Sequence, residues 1–82
     1  MRYIIIVFAS RRDSAFFLEK LQSNNIRAEM TSTPRKLNLS CGISVKTNER
    51  YINTVRRILY SNNFRSFSGI YLFDGYNYYP YK

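Results

Sequence analysis

The chain has 82 residues, 45% of them apolar and 17% aromatic, which is enough for one packed core and leaves no room for a second. Thirteen basic against five acidic side chains give a net charge of +8 with no histidine. That charge favours anionic partners, and the lack of imidazole removes His-dependent catalysis and the usual zinc sites.

One cysteine cannot form an intrachain disulfide, so the pattern is not that of a stapled secreted scaffold. No apolar run approaches the roughly 18 residues of a membrane span. The apolar N-terminus is too short for a signal peptide and is followed by Arg11 and Arg12 rather than a small-residue cleavage site. A cytoplasmic location is the expectation.

Tyr3 to Phe8 is a β-branched run that reads as a buried strand, with Ile4, Ile6 and Phe8 on one side and Tyr3, Ile5 and Val7 on the other. Ser10 and Asp13 then have the spacing of a capping box, predicting a helix that ends near Asn24. Its apolar face carries Ala15, Phe17, Leu18 and Leu21, and Phe16 falls on the polar side. Asn24-Asn25 tolerates the left-handed conformation that ends a helix. Arg27 to Thr31 reads as a second strand stopped by Thr33-Pro34.

Arg35 to Ser40 is a loop or a single helical turn, and Gly42 to Lys46 alternates as a third strand. Asn48 caps a second helix with Tyr51, Ile52, Val55, Ile58 and Leu59 as its apolar stripe. Gly69 to Phe73 is the fourth strand. Two crossovers in this order predict an α+β, ferredoxin-like βαββαβ sandwich: a four-stranded antiparallel sheet with both helices on one face.

The expected organisation is one domain over residues 1–73, followed by a Tyr-rich segment, 74–82. Asp74-Gly75 can turn that segment back as a short extra strand, limited by Pro80, or it extends as a tail. The sheet face away from the helices, with Tyr3, Ile5, Val7, Tyr71 and Phe73, is too apolar for water alone. The tail, a second copy of the chain, or both are expected to cover it.

Chemistry centres on Cys41. A free thiol near pKa ~8.5 is only slightly ionised at neutral pH, and nearby cations raise the thiolate fraction. Arg35 and Lys36 lie six and five positions upstream, Pro34 stiffens the chain before them, and Gly42 permits close backbone approach. The alternative is a small buried hydrophobe, a common fate of a lone cysteine. Arg35 and Lys36 are then solvated loop charges.

Ala15 and Glu19-Lys20-Leu21 on the first helix, Thr33-Pro34-Arg35, and Ser40-Cys41-Gly42 together resemble the selenium/sulfur carrier-like family of small bacterial domains. The resemblance covers about residues 2 to 73. It implies that Cys41 is the carrier thiol, holding sulfur as a persulfide or selenium as a perselenide, and that Arg35 stabilises the anion. Partners would be a sulfur- or selenium-donating enzyme and an acceptor protein, with no cofactor. Two features depart from the family's pattern. The second helix is basic where relatives tend to be acidic, and the Tyr-rich extension is unusual.

Two other classes of function stay open. One is a basic binding module, for nucleic acid or a protein, using Tyr3, Tyr71 and Phe73 as a stacking platform. Against it, the strand from Gly42 to Lys46 lacks the aromatic-rich signature of RNA-recognition domains. The other is a protein–protein adaptor with Cys41 structural. Hydrolytic triads and phosphate-loop chemistry are excluded by the missing histidine and Gly-rich loop.

Overall fold

In the computed structural model, which describes residues 2–37 and 42–81, the apolar run near the N-terminus is strand β1, Tyr3–Phe8, with five of its six residues buried. Helix α1 (Arg11–Ser23) follows, then β2 (Ala28–Ser32), β3 (Ile43–Asn48), α2 (Ile52–Ser61), β4 (Phe67–Phe73) and β5 (Tyr78–Pro80). Short 3-10 turns occupy Arg35–Leu37 and Glu49–Tyr51.

The strands form one sheet in the order β2-β3-β1-β4-β5, and every neighbouring pair is antiparallel. The expected α+β class and the two helices are present, but the sheet has five strands where four were expected. The extra strand arises at Asp74, whose carboxylate accepts hydrogen bonds from the N–H groups of Tyr76 (2.9 Å) and Asn77 (2.8 Å). Gly75, at φ 108, supplies the left-handed backbone that this turn needs. Phe73 then pairs with Tyr78 and Leu72 with Tyr79, and Tyr81 N–H donates to the Ile70 carbonyl at 2.8 Å. Pro80 is tolerated because β5 is an edge.

Both helices cover the same sheet face. Ile4, Ile6 and Phe8 of β1, Val45 of β3 and Leu72 of β4 form one buried cluster with Phe17 and Leu21 of α1 and Val55 and Ile58 of α2. The Phe8 ring lies 5.3 Å from both Phe17 and Phe64, and the latter two meet edge-on at 5.5 Å. This triad joins β1, α1 and the connection into β4, and truncating any member to Ala would cost about 3–5 kcal/mol. On α1, Phe17, Leu18 and Leu21 face the core as expected, but Ala15 is exposed and Ser14 takes an inward position instead.

On the opposite face Ile5 and Val7 are buried within the single chain. Ile5 stands between Lys46 and Tyr71, and Val7 between Ser44 and Gly69. The Tyr71 ring folds over Gly69, so close that a Cβ there would stand 3.2 Å from its Cε2. Long neighbouring side chains thus shield this face, while the Tyr-rich segment extends the sheet at its edge.

Candidate functional site

The segment between β2 and β3 contains every residue singled out for chemistry. Ser40 and Cys41, with Asn38 and Leu39, lie outside the described residues. The chain on either side of them is fixed at one end of the sheet. Thr33 N–H donates to the Gly42 carbonyl at 3.0 Å, and the Thr33 and Ser44 hydroxyls share a hydrogen bond of 2.6 Å. Ser44 is fully buried, so its hydroxyl requires such a partner.

Pro34 opens the 3-10 turn, closed by Leu37 N–H on the Pro34 carbonyl at 3.1 Å. Proline suits this position because its φ is already near that of the turn. Arg35 and Lys36 project from the turn and are both exposed, and neither forms an ion pair with a carboxylate among the described residues. Gly42 is exposed, and a Cβ there would meet nothing within 4 Å. Of the residues named from sequence, Thr33 and Gly42 are therefore brought together at the base, and Arg35 and Lys36 share one turn above it.

The base is also tied to α1. Ser14 Oγ, fully buried, donates to the Ser10 carbonyl (3.2 Å) and lies 3.5 Å from the Ile43 carbonyl. This places the start of β3 against the first turn of α1, where β1 ends. Sequence reasoning missed Ser14 and Ser44 as anchors. Both are small polar residues in elements of the expected type, and only their inward facing distinguishes them from solvated serines.

What this frame can do follows from its charges. An unpaired Arg–Lys turn gives a local positive potential that favours the ionised form of a thiol brought near it. Among the described residues no cluster of His, Cys, Asp and Glu could hold a metal ion, and no helix is long and apolar enough to cross a membrane.

The pattern of the family described as "Putative Se/S carrier protein-like" matches residues 3–72. The chain belongs to that family. The match runs from the first residue of β1 to the penultimate residue of β4, so it takes in both helices and the whole β2–β3 connection. The turn at Asp74 and strand β5 fall beyond it. No curated protein and no solved structure matches the chain.

Proposed function

We propose that the protein carries sulfur or selenium on Cys41, accepting it from a donor enzyme and passing it to an acceptor protein. Membership of the Se/S carrier-like family over residues 3–72 is the observation that carries this reading, since Cys41 is the only thiol in the chain. In loading, the Cys41 thiolate attacks the outer sulfur of a donor persulfide. The donor's S–S bond breaks, its own sulfur leaves as a thiolate, and Cys41 becomes a persulfide with no net oxidation. In unloading, a nucleophile on the acceptor takes the outer sulfur and Cys41 thiolate is regenerated. Selenium follows the same course as a perselenide.

Each neighbouring residue has a role in this reading. Arg35 and Lys36 lower the energy of the anionic thiolate and persulfide. Gly42, which carries no side chain to block it, lets the backbone approach the Cys41 anion closely and help to stabilise it. Thr33, Pro34 and Ser40 shape the loop. We read the architecture as a ferredoxin-like sandwich extended by an edge strand, working in the cytoplasm, where thiols stay reduced. The shielding of Ile5 and Val7 within one chain leaves a homodimer through that face without an apolar incentive at those two positions.

The test is uptake of sulfur from a low-molecular-weight persulfide donor, read by mass spectrometry of the intact protein. The parent gains one sulfur atom, whereas Cys41→Ser keeps its circular dichroism and gains none. Continued uptake by the variant would contradict the proposal.

A further inference from the structure

The sheet face away from the helices carries a row of rings at the end opposite the Cys41 segment. Tyr3 pairs with Asn48 on one side and Phe73 on the other, and Phe73 pairs with Tyr78. Three aromatic residues thus occupy adjacent strands in register, on backbones ~4.8 Å apart. All three are half-buried, and Phe73 and Tyr78 stack at 4.6 Å with 28° between their planes.

Beyond Asn48 the row runs into a groove of about 660 Å³, lined by Tyr3, Arg27, Lys46, Asn48, Arg50 and Tyr51 among others. That volume lies in the ~300–1,000 Å³ range of ligand clefts. Lys46 Nζ stands 4.4 Å over the Tyr3 ring and 3.7 Å from Glu29. Arg2 is paired with Glu49 at 3.3 Å. Arg27 and Arg50 are exposed, and neither pairs with a carboxylate among the described residues. The groove therefore offers two uncompensated guanidiniums beside a platform of rings.

We propose that this row and groove bind single-stranded nucleic acid, with bases stacked on Tyr3, Phe73 and Tyr78 and phosphates held by Arg27, Arg50 and Lys46. Rings without a matching hydrogen-bond code recognise any base by its face, and guanidiniums match phosphate geometry. A folded acidic protein would satisfy the charges but not the row of rings. Asn48 at this surface lies about 17 Å along β3 from Ile43, five steps at ~3.4 Å per residue. The inference stands on observations independent of the carrier reading.

The experiment is fluorescence anisotropy with a labelled oligouridylate of about twelve nucleotides, a length within the ~4–16 of single-strand sites, titrated at several salt concentrations. The parent should bind saturably. Arg27→Ala with Arg50→Ala should make the slope of log K against log salt shallower by about 1.4, or ~0.7 per phosphate contact. Arg12→Ala with Arg65→Ala, an equal charge change at exposed positions near the other end of the sheet, should leave the slope unchanged. Tyr3→Leu with Phe73→Leu should weaken binding roughly tenfold or more at unchanged slope. If that pair disturbs folding, the arginine comparison decides alone. Absence of binding at low salt, equal loss in the two arginine pairs, or ready displacement by polyglutamate would overturn the proposal.

Discussion

At the N-terminus of α1 the Ser10 hydroxyl accepts from Asp13 N–H at 3.3 Å, which is one half of the expected capping box. The other half is diverted. Asp13 Oδ2 accepts from the Ser66 hydroxyl (2.5 Å) and N–H (3.2 Å), and Ser10 N–H donates to Ser66 Oγ at 3.1 Å. A local signal three residues long was legible in the sequence, but its partner lies 53 positions away. Tyr81 was equally hidden. Its hydroxyl donates to Glu49 Oε2 at 3.1 Å, pinning the residue after β5 against the 3-10 turn that precedes α2. Partial burial, and then the hydrogen bond and charge of Glu49, raise this phenol above the usual 10.0. Because the fold prefers the protonated form, the contribution is intact below pH 10 and is lost as pH rises through the raised value. An absorbance titration should show a late-ionising phase that Tyr81→Phe removes. The stability of that variant should also fall less steeply above pH 10, and an unchanged titration would contradict the assignment.

Elements were the most legible scale. The helix ending at Ser23 with Asn24 as its cap, the left-handed Asn25 at φ 60, and Asn48 accepting from Arg50 N–H at 2.9 Å all follow from local sequence signals. Strand β4 starts at Phe67, two residues earlier than its alternation suggested. Gly69 interrupts the apolar pattern there, with φ 152 and a register shift where β1 meets β4 between Val7 and Phe8. Glycine allows that backbone and leaves room for the Tyr71 ring. Gly69→Ala should therefore cost more than about 1 kcal/mol in urea denaturation, through both the backbone and the displaced ring. A neutral substitution would show that the ring has another resting place.

On the scale of the whole molecule the two ends of the sheet differ in what they present. At one, Thr33, Gly42, Ser44 and Ser14 hold the chain on either side of residues 38–41 beside an exposed Arg35–Lys36 turn. At the other, the aromatic row meets the basic groove. Composition announced the net charge of +8, but not that, among the described residues, Arg27 and Arg50 have no carboxylate partner while Lys46 and Arg2 have one each. The pairing depends on strand register. The fifth strand was legible only as one of two alternatives for the Tyr-rich segment, because a three-residue edge has too few alternations to decide between strand and tail.

The carrier reading rests on an accessible, ionised Cys41, and the rate of its alkylation against pH in the folded protein tests that most directly. A fast reaction with a midpoint well below ~8.5 is expected from a thiolate favoured by Arg35 and Lys36. Protection from the reagent, or a midpoint at the ordinary thiol value, would contradict it and return Cys41 to a structural role.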